Sequence, residues 1–190
     1  LPVNMRFCIE GEEEVGSENL DNFVRDHKQE LSADVVVISD SPMFDRGIPS
    51  ICYGLRGLAY FQIDLRGTKS DLHSGSFGGA VANPAFVLTQ MLAQMKDRGG
   101  RVKVPGFYDD VRPLSDVERE EWKKLPFSDT RYRKALGAPR LFGEKGYSTL
   151  ERVWARPTLE VNGLLSGFTG EGAKTVLPAV AMAKVSMRLV

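Results

Sequence analysis

Four carboxylates crowd five positions in Glu10-Gly-Glu-Glu-Glu-Val-Gly-Ser17, directly after the apolar run Val3–Ile9. Like charges this close repel, and each makes its neighbours harder to ionise. A divalent cation removes that cost. One carboxylate could then ligate the ion while its neighbour, tuned by the ion's charge, moves a proton. A solvated acidic loop ahead of a helix is the competing explanation, since runs of charge are usually wet surface; the residues alone do not choose. Imidazoles are scarce. His27 and His73 are the only two, whereas a two-metal site usually draws on more. Cys8 and Cys52 each lie inside an apolar run and are expected to be buried thiols rather than a disulfide, which fits a reducing compartment.

These groups need elements to hold them. Val3–Ile9 and Val35–Ser39 are short, β-branched and do not alternate, as expected of strands buried on both faces of a mostly parallel sheet. Between them Leu20, Phe23, His27 and Leu31 recur at helical spacing, with Ser17 the expected N-cap. This βαβ unit would put Glu12–Glu14 and Asp40 at the carboxyl ends of its strands, where α/β folds bind ligands. Ser50–Tyr53 is a third strand-like run. The pattern changes after Gly57. Asn83-Pro84 opens a helix, with Asn as N-cap and Pro in the first turn; it carries Phe86, Val87, Met91, Leu92 and Met95 and ends at Gly99-Gly100. Residues 101–150 are irregular, with a capping box at Ser115–Glu118. Thr158–Val161 reads as a strand ending at Asn162-Gly163. In the last strand Ala183, Val185, Met187 and Leu189 face one way and Lys184, Ser186 and Arg188 the other, so it is half-buried and antiparallel. The expected boundary lies near Arg56-Gly57, with 1–56 part of an α/β domain and 57–190 an α+β domain.

With 190 residues, 42% of them hydrophobic, and 25 basic against 25 acidic side chains, the chain suits a globular protein. Zero net charge gives no support for nucleic-acid binding. No apolar run reaches membrane-spanning length and no signal-peptide pattern is visible, so no membrane partner and a cytoplasmic location are expected.

Phe7-Cys-Ile-Glu-Gly-Glu-Glu-Glu-Val-Gly-Ser17, Val37-Ile-Ser-Asp40, Asp71-Leu-His-Ser-Gly75 and Lys174-Thr-Val-Leu-Pro178, followed by Ser186-Met-Arg-Leu-Val190, resemble the M20 metallopeptidases, and most closely their carnosinase-like, cytosolic nonspecific dipeptidase branch. The match runs through nearly the whole chain in order. The resemblance implies a mostly parallel-sheet catalytic domain with a pair of divalent ions, zinc or alternatively manganese, and an α+β lid with an antiparallel sheet that also forms a homodimer. It implies that Glu13 is the general base and that Glu14 and Asp40 are metal ligands. His73 would reach the partner subunit's site and stabilise the tetrahedral intermediate. Thr175 and Arg188 would hold the carboxylate end of a small peptide substrate. Such residues suit the chemistry: paired ions bind the scissile carbonyl and generate hydroxide, a carboxylate carries the proton, and a donor serves the oxyanion. A guanidinium pairing with a free C-terminus would favour short peptides.

The family's His-x-Asp metal motif and its late ligand histidine have no counterpart here. Glu14 and Asp40 give one protein ligand per ion, too few for a stable site. The expectation is therefore an internal fragment of a longer peptidase, its lid incomplete at the C-terminus, binding no metal by itself. Two alternatives stand beside a dipeptidase: an amidohydrolase that deacylates N-acyl amino acids and, for the isolated chain, a non-catalytic dimerisation module.

Overall fold

A computed structural model describes residues 2–190. The chain divides into two units, Leu1–Cys52 and Tyr53–Val190. In the first, the described residues form one turn of 3-10 helix, Glu13–Val15, and one α-helix, α1 (Leu20–Asp26). The three runs that the sequence marks as strands join no ladder; strand pairing among these residues is limited to a bridge between Asp45 and Ile48. Phe7 and Ile9 are exposed, as are Val36 and Ile38. The physical reason is that a parallel strand takes its backbone partners from strands beside it and its cover from helices on both faces. Here the described residues of this unit offer one seven-residue α-helix and a single 3-10 turn. For the same reason Cys8 and Cys52, expected to be buried, are exposed.

The start of α1 also differs from expectation. Ser17 takes a left-handed conformation, φ 54°, behind Gly16 at φ 102°, and the N-cap is Asn19. Asn19 makes no side-chain cap. Its Nδ2 donates instead to both carboxylate oxygens of Glu12, each at 2.9 Å. An amide so close to a carboxylate finds a charge-assisted partner, and that wins over capping.

The second unit is built on a three-stranded antiparallel sheet of β1 (Gly57–Arg66), β3 (Thr158–Ser166) and β5 (Val180–Leu189), in the order β1-β5-β3. Gln62 stands opposite Lys184 and Phe61 opposite Val185, so β1 and β5 pair along their whole length. The alternation read in β5 is its burial pattern: Ala181, Ala183 and Val185 are buried while Lys184 and Arg188 are exposed. Helix α3 (Pro84–Met95) covers that face. Its Leu88 is fully buried against Val102, Leu159 and the two alanines, whose small side chains let the helix come close. Asn83 Oδ1 accepts from the Ala85 amide at 2.9 Å, the expected cap, and Pro84 follows in the first turn.

Strand β3 does not stop at Asn162-Gly163. It runs to Ser166 through a bulge there, between Val161, opposite Val185, and Gly163, opposite Lys184. An extra residue is absorbed in one strand without ending the ladder, so a turn-like dipeptide marks an irregularity and not an end.

Between α3 and β3 the chain makes three short helices, α4 (Asp116–Lys123), α5 (Asp129–Ala135) and α6 (Thr149–Trp154). Helices this short need caps and tertiary anchors. Ser115–Glu118 and Ser148–Glu151 are both full capping boxes, and Trp122 meets Trp154 edge to face at 5.3 Å. The anchor is Glu144, 8% exposed, which accepts two bonds from buried Arg156 at 2.7 and 3.0 Å and one from Arg101 at 2.8 Å.

Candidate functional site

A second, two-stranded sheet carries the residues of chemical interest. Strand β2 (Leu72–His73) pairs with β4 (Val176–Leu177), Leu72 opposite Leu177 and His73 opposite Val176. Two residues per strand make a weak ladder, so the connection is clipped on both sides. Asp71 Oδ1 accepts from the Ala179 amide at 2.8 Å, and the Gly67 amide donates to the Ala179 carbonyl at 2.8 Å. Beyond His73 the chain turns into the single-turn helix α2 (Ser74–Phe77), where the Ser74 amide donates to the Thr175 carbonyl at 3.3 Å.

These clips bring His73 and Thr175 together. The Thr175 hydroxyl lies 3.2 Å from His73 Nε2, and the Gly75 amide donates to His73 Nδ1 at 3.1 Å. An amide N–H donates only to a ring nitrogen that carries no proton. The bond therefore assigns the imidazole proton to Nε2, which donates to Thr175 Oγ1. The hydroxyl accepts and keeps its own proton for another acceptor. Both residues are exposed. With the Nε2 proton on Thr175 Oγ1, the donor left for an oxygen that gains negative charge is the Thr175 hydroxyl.

The other predicted residues lie elsewhere. Arg188 is near the far end of β5, opposite Leu58 on one side and Thr158 on the other. It is nine residues beyond Ala179, about 30 Å along an extended strand. One protomer therefore does not set Thr175 and Arg188 side by side. Glu13 and Glu14 sit in the exposed 3-10 turn of the first unit, and Asp40 is exposed in a segment of that unit outside any helix or strand. His27 stacks on Phe23, with ring centroids 4.5 Å apart, and its Nδ1 lies 3.3 Å from Glu30.

Among the described residues, no group of three or more His, Cys, Asp or Glu side chains is placed to hold a metal ion. Glu14 and Asp40 alone do not fit a stable two-ion centre.

Asp71 and Gly75 are further site residues that the sequence does not single out, although both stand two positions from His73 in Asp71-Leu-His-Ser-Gly75. Their parts are a side chain that clips β4 and a backbone amide that sets a tautomer. Neither is visible as a reactive group; the only sequence signal was that a short polar and a small residue flank the histidine.

Residues 53–190 match the family model described as a peptidase dimerisation domain. Over the whole chain, the sequence is 38% identical to the Cys-Gly metallodipeptidase DUG1 of Candida albicans, of which the match covers 40%. It is 35% identical to the human Beta-Ala-His dipeptidase, covering all of this chain and 38% of that protein. The solved structure of an M20 family metallo-carboxypeptidase, Sso-CP2 from Sulfolobus solfataricus, superposes with a TM-score of 0.82 at 39% identity, over 95% of this chain and 41% of the other. The chain thus spans about two fifths of the length of these relatives. No helix among the described residues is long and apolar enough to cross a membrane. The sheet of β1, β5 and β3 with α3 on one face is the antiparallel core of a recognised domain: the chain belongs to the M20 peptidase family, and residues 53–190 are its peptidase dimerisation domain.

Proposed function

We propose that the full-length protein is a dipeptidase, and that this chain lends the donors His73 and Thr175 to the active site of a second subunit. One observation carries this: His73 presents an oriented Nε2–H beside a hydroxyl, both exposed, on a domain of the dimerisation family. The relatives named as a metallodipeptidase and a dipeptidase supply the reaction class. Small peptides would be the substrates and a second copy of the chain the partner.

Within the same proposal Glu13 is the general base, Glu14 and Asp40 are ligands of a pair of divalent ions, zinc or manganese, and Arg188 binds the substrate's terminal carboxylate. The described residues do not complete the ion site, so it would need further donors from the whole enzyme. Here the chain's own contribution is positional: the Gly75 amide fixes the imidazole, and a developing oxyanion would take the place of Thr175 Oγ1 as the acceptor of Nε2–H or accept the Thr175 hydroxyl proton. For the chain by itself, the match of residues 53–190 to the dimerisation family supports the reading of a dimerisation module. A cytoplasmic location belongs to the same proposal, since two exposed thiols suit a reducing compartment.

The test mixes two inactive full-length variants, His73→Ala and Glu13→Gln. A heterodimer would combine an intact Glu13 with the partner's intact His73 in one of its two sites, so part of the activity should return. No recovery despite demonstrated subunit exchange would sink the shared-site proposal.

A further inference from the structure

The end of the main sheet farthest from His73 gathers arginines, two of which enter no ion pair among the described residues. Arg188 lies opposite Leu58 on β1 and Thr158 on β3. On paired strands, residues offset by two positions share a face and come within about 7–8 Å of each other. Arg56 stands two positions before Leu58, just outside the ladder, and lies near enough to Arg188 for the two charges to interact, while Arg156 stands two before Thr158. Arg156 is spent on Glu144. Arg56 is fixed across the strand ends by donating from Nη1 to the Arg156 carbonyl at 3.1 Å. Among the described residues neither Arg56 nor Arg188 enters an ion pair. Burial, and then the charge of Arg188, hold the Arg56 guanidinium below its ordinary range, as expected of a cation without a counter-charge.

A cavity of about 190 Å³ opens beside Arg56, lined also by Arg156, Thr158, Lys96 and Glu160. The Glu160 carboxylate is held by Lys96 at 2.8 Å. Arg56 thus stays a donor at the cavity wall with Thr158, while Arg188, outside the lining, neighbours it from the paired strand. Two neighbouring planar forks suit a single carboxylate, which can accept from both.

We propose that Arg56 is a further substrate-binding residue, which closes with Arg188 as a two-guanidinium clamp on the terminal carboxylate of a peptide. This rests on the peptidase reading and adds to it a residue that the sequence does not single out. It also separates the roles of two predicted residues: Thr175 stays with His73, and Arg188 takes Arg56 as its companion.

The clamp can be tested without turnover. N-acetylglycine, its C-terminal amide and inorganic phosphate are titrated into the 190-residue chain, following the arginine Nε–H resonances by NMR. The carboxylate should bind and shift both Arg56 and Arg188. The amide should fail to bind, and phosphate should bind at least tenfold more weakly. Arg56→Gln should weaken the carboxylate at least tenfold, with Arg56→Lys recovering part of the loss. Because Arg56 also holds the Arg156 carbonyl, Arg188→Gln serves as a second variant and should show a similar loss with the fold intact. No carboxylate binding, equal binding of the amide or of phosphate, or wild-type affinity in either Gln variant would overturn the clamp. Carboxylate binding to the chain, together with a full-length protein that cleaves no peptide, would keep the clamp and remove the peptidase reading.

Discussion

His73 Nε2 stands 3.2 Å from Thr175 Oγ1, although 102 residues separate them. The contact exists because β2 and β4 are held in register from outside, by Asp71 on the Ala179 amide and by Gly67 on the Ala179 carbonyl. An imidazole accepting an amide at Nδ1 and donating at Nε2 has lost its freedom to flip, which is what an oriented donor requires.

Gly75 is the sensitive point of that arrangement. A Cβ added there would lie 3.0 Å from His73 Cε1 and 3.2 Å from Nδ1, so Gly75→Ala must push the ring aside by a few tenths of an ångström. In the full-length enzyme this should lower turnover by up to about 100-fold, the scale expected for displacing a positioned group. Thr175→Val should act more mildly, and Thr175→Ser should restore the wild-type rate. Nitrogen-15 spectra of the imidazole provide the direct check. The neutral ring should carry its proton on Nε2 in the wild type, and a population of the Nδ1–H form should appear in Gly75→Ala. An Nδ1-protonated ring in the wild type would refute the tautomer.

The parts of this site that were legible in the sequence are those written in local pattern. The alternation from Ala183 to Met187 set the faces of β5, though Leu189, read on the buried face, is exposed, and Asn83-Pro84 and Ser115–Glu118 marked their helix starts because a cap needs only a few adjacent residues. What depends on long-range pairing was not legible. Val3–Ile9 has the composition of a buried strand, yet composition supplies no ladder partner. Asn162-Gly163 has the chemistry of a turn but sits in a bulge, because the ladder resumes beyond it. Arg56 is an ordinary cation until the register of β1 on β5 sets it beside Arg188.

The cap of α4 gives a pH prediction with a definite sign. The Ser115 amide, then its hydroxyl, and Arg112 hold the Glu118 carboxyl below the ordinary glutamate value; the small cost of desolvation acts the other way. A depressed folded-state value means that the cap contributes fully above the unfolded-state value and is lost as pH falls through the folded one. The amides of Asp116–Lys123 should therefore exchange faster in acid than at neutral pH, and Glu118→Gln should flatten that dependence. A Glu118 side-chain titration at or above the ordinary glutamate range would contradict it.

The Glu144–Arg156 pair should behave as a buried lock. Burial alone would lower the Arg156 value, but its bonds and charge attraction to Glu144 outweigh that and raise it. Arg156→Met removes two bonds to a carboxylate that is 8% exposed, leaving Arg101 as its partner. The expected loss is about 3–5 kcal/mol in urea denaturation, because an under-compensated charge stays buried. The double variant Glu144→Leu with Arg156→Met should regain much of it. A single-variant loss under about 1 kcal/mol would show that the pair is not what anchors residues 96–157.

Metal content should separate the proposed roles of Glu13 and Glu14. Glu13 and Glu14 share one 3-10 turn, in which consecutive side chains point about 120° apart. Glu12 is already held by Asn19. Two neighbours pointing differently can serve an ion and a water without competing. In the full-length enzyme, Glu14→Gln should lose metal, whereas Glu13→Gln should keep near-normal metal content and lose turnover, because the base touches the water and the ligand touches the ion. Calorimetric titration of zinc into the 190-residue chain should show weak binding or none, since Glu14 and Asp40 provide one donor per ion. Tight binding that disappears in Glu14→Ala would mean that this chain assembles a complete site from its own residues. Equal metal loss in Glu13→Gln and Glu14→Gln would make both carboxylates ligands and leave the general base to be found elsewhere.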